Sequence, residues 1–191
     1  GEQYEGSSCR GALKGWHKHG VCSDEFWPYR NRSGRAVLLP PQPGWERDSI
    51  TRPLGVYYRV DRRSVVDLQA AIADIGAVYV SARTHPGWAR VAAAPLPRQH
   101  ADLPLIPLPD PADKQRGGHA FALVGYNEHG FVVQNSWGEG WGARGFAVLR
   151  YDDWAIHATD AWVCALGVPC AASAERLAGV RWPVASGRSL G

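Results

Sequence analysis

The sequence has 191 residues, 45% of them hydrophobic and 20% charged, with a formal net charge of +3 from 21 basic and 18 acidic side chains. That is enough chain for one domain with a sizeable core, and an apolar fraction of this size with Trp 9 excludes a disordered segment. The basic excess is small and scattered, so no nucleic-acid partner is expected, and no run reaches the roughly 18 to 20 apolar residues of a membrane span.

Near the N-terminus, Ser7 or Ser8 is placed to cap a helix, and Gly20 stands where a C′ glycine belongs. Between them Cys9, Ala12, Leu13 and Trp16 fall on one apolar face. Residues 30–55 are rich in Arg, Pro and Gly and read as an irregular connection. Gly55 to Val60 reads as a strand. Ser64 and Asp67 form a capping-box-like pair before a helix over 65–75, with Leu68, Ala71, Ile72 and Ile75 facing inward and Gly76 ending it. Ala77 to Arg83 alternates as a strand, and 84–116 is a second long, proline-containing loop. Three short apolar strands follow, over 120–126, 131–134 and 146–151, with a glycine–tryptophan stretch at 136–145. They suggest antiparallel sheet. Asp152–Asp153 reads as a solvated turn, and an exposed tail follows Gly167.

Four cysteines, Cys9, Cys22, Cys164 and Cys170, contain no C-x-x-C pair, so a zinc ribbon is not expected. They permit two disulfides, for example Cys164 with Cys170, or free thiols, and the compartment stays open. His17 and His19 stand two apart, on different sides of a helix. His85, His100, His129 and His157 lack partners at metal-ligand spacing, so neither a metal nor another cofactor is expected.

The strongest chemical signal is the pair His119 and Asn135, about 16 residues apart at the start of one strand and the end of the next. There an Asn side-chain oxygen can accept the imidazole N–H, fix the tautomer and aim the other ring nitrogen at a nucleophile. Trp137 can roof the pair. Taken alone, such a pair is a weak signal.

Its context is specific. Gly117-Gly118-His119-Ala120-Phe121-Ala122-Leu123-Val124-Gly125-Tyr126, with Asn135-Ser136-Trp137-Gly138-Glu139-Gly140-Trp141-Gly142, closely resembles the histidine and asparagine blocks of papain-like cysteine peptidases. Weaker resemblance covers most of residues 6–169. It implies an α+β, two-lobe papain-like fold, with the antiparallel sheet lobe intact and the helical lobe truncated. It implies a domain over 1–169, incomplete at its N-terminus, and a tail over 170–191. It implies thiol-dependent hydrolysis of peptide or protein substrates, with His119 as base, Asn135 as its orienting residue and Trp137 in support.

The nucleophile is the open point. Cys9 sits at a helix start with Gln3 before it, as in the family's cysteine block, but Arg10 follows where the family has an aromatic residue. Cys9 precedes His119 by about 110 residues, short of the roughly 130 to 150 usual for papain-like enzymes. Cys164 and Cys170 come after Asn135, against the family's order. The sequence also holds no methionine and opens on Gly1. The expectation is therefore a nucleophile supplied from an upstream segment or another chain, with Cys9 as the alternative within this one. A non-catalytic papain-like module that binds extended peptide is the competing function.

Overall fold

The structure, a computed structural model, describes residues 7–32, 35–113 and 117–167. These form two compact units. Among the described residues, the first comprises 7–14 and 56–165, and the second comprises 15–55 with 166–167. The fold class is α+β.

Helix α1 spans Cys9–His19, from the first unit into the second. Its cap is Ser8, whose Oγ accepts the Gly11 N–H at 3.0 Å. Cys9 and Leu13 are its buried residues. Gly20, at φ 72, takes the left-handed conformation past its end.

The second unit departs from the expected irregular connection. It holds an antiparallel hairpin, β1 (Tyr29–Arg32) and β2 (Arg35–Leu38), and a short helix α2 (Trp45–Ser49). Arginine-rich strands lack the apolar alternation that would announce them. The segment is then fixed by side chains. Asp48 accepts from the Ser23 N–H at 2.6 Å and pairs with Arg52 at 2.9 Å, while Trp27 Nε1 donates to Leu39 O. The Ser23 N–H, more than Arg52, holds the Asp48 carboxyl below its ordinary range.

In the first unit, β3 (Leu54–Arg59, whose first two residues belong to the second unit), β4 (Val78–Arg83), β5 (Gly118–Tyr126), β6 (Gly130–Gln134), β7 (Phe146–Arg150) and β8 (Ala158–Leu166, whose last residue belongs to the second unit) form one sheet in the order β3-β8-β4-β5-β6-β7. The pairs β4–β8, β4–β5, β5–β6 and β6–β7 are antiparallel. Helix α3 (Val65–Ile75) lies where the sequence puts it. Ser64 accepts the Asp67 N–H, and Gly76 ends it at φ 89. Leu68 and Ile72 enter the core, but Ile75 is 51% exposed. The inward face of the helix therefore ends before its last residue, so the expectation for Ile75 is corrected.

Side chains alternate across a strand, so register assigns the faces. Val78, Val80 and Ala82 of β4 stand opposite Leu123, Phe121 and His119 of β5. The first five of these join Leu68, Ile72, Trp88, Phe131, Trp141 and Trp154 in the main core. Tyr79 lies between them in sequence and faces the other way, opposite Trp162 of β8.

Two further expectations are corrected. The segment 84–113 is not an open loop: it contains α4 (Pro86–Ala89) and a 3-10 turn at His100–Asp102, and it buries His85, Trp88, Val91, Leu103 and Ile106. Asp152–Asp153 is not a solvated turn either. Both open helix α5 (Tyr151–His157), and Asp153 is 1% exposed. The tail, Gln3 and Cys170 lie outside the described residues. Among the described residues no helix is long and apolar enough to cross a membrane.

Candidate active site

His119 stands at the start of β5. Its backbone is fixed from before the strand: the Thr84 N–H and hydroxyl both donate to Gly117 O, each at 3.2 Å. Asn135 follows the last residue of β6, and its N–H donates to Gly145 O at 2.9 Å. The loop that supplies this carbonyl turns through three left-handed glycines, Gly138, Gly142 and Gly145, and through Arg144 at φ 55. At Gly142 a Cβ would run into Phe146 O. Gly138, Gly142 and Gly145 are therefore favoured by conformation, and Gly142 also by space.

Antiparallel pairing brings the start of β5 beside the end of β6, and His119 Nε2 meets Asn135 Oδ1 at 2.8 Å. The Ser136 N–H donates to the same oxygen at 2.8 Å. An amide hydrogen can only donate, so the atom it meets is the side-chain oxygen of Asn135. His119 Nε2 must then carry the proton, which leaves Nδ1 with its lone pair free in the neutral ring. Trp137, 46% exposed, covers the pair with its ring centroid 4.8 Å from the imidazole. Phe121 stacks on the imidazole at 5.7 Å and Trp88 meets it edge-on at 5.9 Å. His119, Asn135 and Trp137 thus come together as the sequence suggests.

Cys9 does not join them. Its thiol interacts electrostatically with the Tyr79 phenol, and Tyr79 points away from the face that carries His119. Burial first, then Cys9, pushes the Tyr79 phenol up to about 12. Cys164, two residues beyond Trp162, shares that far face, and burial followed by Cys9 raises its thiol. Cys9, Cys22 and Cys164 are free thiols. Cys22 belongs to the second unit, where an apolar recess of about 480 Å³ is lined by His19, Cys22, Trp27, Trp45 and Ser49 among others, and by neither His119 nor Asn135.

Sequence reading missed the buried trio of His85, Asp153 and His157, whose potential ligand atoms lie within 4.8 Å of one another. Asp153 and His157 stand one helical turn apart, but His85 is far from both in sequence, so no local spacing announces the trio. Asp153 is bonded to His85 Nε2 at 2.9 Å and to His157 Nδ1 at 2.7 Å. The Gly87 N–H donates to His85 Nδ1, so the His85 proton sits on Nε2. As found, the trio is a hydrogen-bonded network whose His85 nitrogen facing Asp153 has no lone pair for a cation.

The sequence profile of the papain family cysteine proteases matches residues 2–163. The chain belongs to the papain family. It is 26% identical over 166 residues to an uncharacterised peptidase C1-like protein of Acanthamoeba polyphaga mimivirus, covering 85% of this chain and 52% of that protein. Among solved structures it is similar to xylellain, a cysteine protease from Xylella fastidiosa, with a TM-score of 0.67 and 26% identity, covering 83% of this chain and 61% of the other. The fold is also that of procathepsin L 3 from the Tenebrio molitor larval midgut, with a TM-score of 0.56 and 21% identity, covering 84% of this chain and 49% of the other. The chain thus spans about half the length of the curated relative it matches.

Proposed function

We propose that this chain provides the imidazole side of a cysteine-type peptidase, with His119 as general base, Asn135 as its orienting residue and Trp137 as the cover that keeps water from their hydrogen bond. The observation that carries this reading is the 2.8 Å contact between His119 Nε2 and Asn135 Oδ1. It leaves Nδ1 to take a thiol proton. The resulting thiolate attacks a peptide carbonyl, and the imidazolium returns its proton to the leaving amine. Water then adds to the acyl-enzyme, His119 accepts its proton, and the thiol is released with the acid product. The substrate class is peptide or protein, and the chemistry uses no cofactor.

The attacking thiolate, in this reading, comes from polypeptide outside residues 7–167, an upstream segment or another chain. Two observations support that: Cys9 interacts with Tyr79, which faces the far side of the sheet, and the chain matches only 52% of its viral relative. Residues 1–169 form the papain-like domain, and 170–191 follow it as a tail. The test is amide hydrolysis by the full natural protein. His119→Ala is expected to lower kcat/KM by about 10² to 10⁴, the usual contribution of a general base. An unchanged rate would remove His119 from the chemistry.

The same face assignment of Cys9 favours a second reading, a papain-like module that binds extended peptide without cleaving it. Peptide binding by the full natural protein with no turnover and no electrophile-reactive thiol would select it.

A further inference from the structure

We infer that Asp153 is a positioning residue for His119, acting through the tautomer of His85 and the helix that His85 caps. Each link is a contact of known geometry. Asp153 is 1% exposed, and both of its oxygens are engaged, Oδ2 by His85 Nε2 at 2.9 Å and Oδ1 by His157 Nδ1 at 2.7 Å. A carboxylate only accepts, so it holds the proton of His85 on Nε2. His85 Nδ1 is thereby left as an acceptor, and it takes the Gly87 N–H at 3.1 Å. That bond is the N-cap of α4. Histidine is not a usual cap residue, and it serves here only while Nδ1 carries no proton.

Helix α4 has four residues, with Pro86 in its first turn, and it carries Trp88. Trp88 is 1% exposed, and its Nε1 has no hydrogen-bond partner among the described residues. The indole is therefore placed by packing and by the backbone of α4. That backbone is held at one end by the His85 cap and at the other by Trp141 Nε1, which donates to Trp88 O at 2.6 Å. Trp88 meets the His119 ring edge-on at 5.9 Å and lies 6.1 Å from Trp137. Gly87 belongs to the same arrangement: a Cβ there would collide with Pro107 O and with the His85 ring. The chain thus contains two oriented imidazoles. His119 is oriented directly by Asn135, and His85, oriented by Asp153, fixes the aromatic wall against which His119 rests. The catalytic consequence rests on the reading of His119 as base, whereas the positioning itself does not.

Nitrogen and aromatic-proton NMR of the chain tests this without an activity assay. In the wild type, His85 Nδ1 is expected to show an unprotonated, pyridine-like nitrogen. His85→Ala is expected to shift the Trp88 and His119 ring resonances, because the ring current of Trp88 acts on the imidazole. His85→Asn replaces the ring with a side chain that caps in the same way, and is expected to return both sets of signals to their wild-type positions. Asp153→Ala is expected to give a protonated fraction at His85 Nδ1 and the same direction of shift as His85→Ala. If Asp153→Ala does not fold, the two His85 variants decide. The inference is overturned if His85 carries its proton on Nδ1 in the wild type. It is overturned if His85→Ala leaves His119 unmoved, if His85→Asn fails to restore it, or if a folded Asp153→Ala leaves both rings unchanged. Zinc binding one-to-one with loss of the His85 Nε2–H signal would overturn it as well. Should these couplings hold while His119→Ala leaves hydrolysis untouched, the base assignment alone fails.

Discussion

Cys9 and His119 belong to opposite faces of one sheet. The phenol that interacts with Cys9, Tyr79, sits in β4 between Val78 and Val80, and those two share their face with the imidazole. A helix-start thiol and a strand-start histidine can look like a catalytic pair in a sequence. The parity of a strand separates them, because moving one of the two to the other face would need a one-residue slip of the ladder.

Tyr79 supplies an alkaline test of this far face. Its phenol is raised from 10.0 to about 12, chiefly by burial and then by Cys9. The unfolded chain would ionise it near 10. Its stabilising effect is thus fully present below 10 and is lost as pH rises through about 12. Tyr79→Phe is expected to flatten the fall in unfolding midpoint over that window, measured by urea denaturation at successive pH values.

Asn135→Ala removes the oxygen that accepts from both His119 and the Ser136 N–H. Nitrogen NMR is expected to find His119 as a mixture of tautomers in this variant and as the Nε2–H form in the wild type. If peptide hydrolysis is measured in the full protein, the loss in Asn135→Ala should be smaller than in His119→Ala, since only the orientation of the base is affected.

Two substitutions test how the elements around the site are held. Ser64→Ala removes the cap of α3 and is expected to cost about 1 kcal/mol. Gly142→Ala places a Cβ against Phe146 O at a left-handed position, and is expected to cost at least about 1 to 3 kcal/mol and to displace Asn135. Chemical denaturation measures both.

In the second unit, the Asp48 carboxyl is held below its ordinary range by the Ser23 N–H, with Arg52 adding to it. A carboxyl depressed on folding contributes stability above its unfolded pKa, and loses it as pH falls through the folded value. Acid is therefore expected to loosen the 23–52 contact. Proteolysis of this unit in the wild type should be faster at low pH than at neutral pH. Asp48→Asn should be cut readily throughout.

The sequence was readable where local chemistry sets the structure. The cap and stop of α3, the alternation of β4 and the glycines after Asn135 follow from residue types a few positions apart. The His119–Asn135 pair was readable because two neighbouring strands bring it together. Helix α5 and strand β8 were not read, because Asp152–Asp153 resembles a polar turn until His85, distant in sequence, joins His157 in hydrogen-bonding Asp153 inside the core. The hairpin at 29–38 was hidden by its arginines. The 84–113 segment seemed structureless because its buried residues, among them Trp88 and Ile106, follow no period.

The central claim, that His119 serves a thiolate from outside residues 7–167, is tested most directly by thiol mapping. The full natural protein is treated at neutral pH with a peptide-like electrophile selective for thiolates, and the modified cysteine is located by mass spectrometry beside the His119→Ala variant. The expected result is one fast, His119-dependent label on a cysteine outside 7–167, with Cys9, Cys22 and Cys164 labelled slowly and alike in both proteins. Fast labelling of Cys9 that disappears in His119→Ala would contradict the account and make Cys9 the nucleophile.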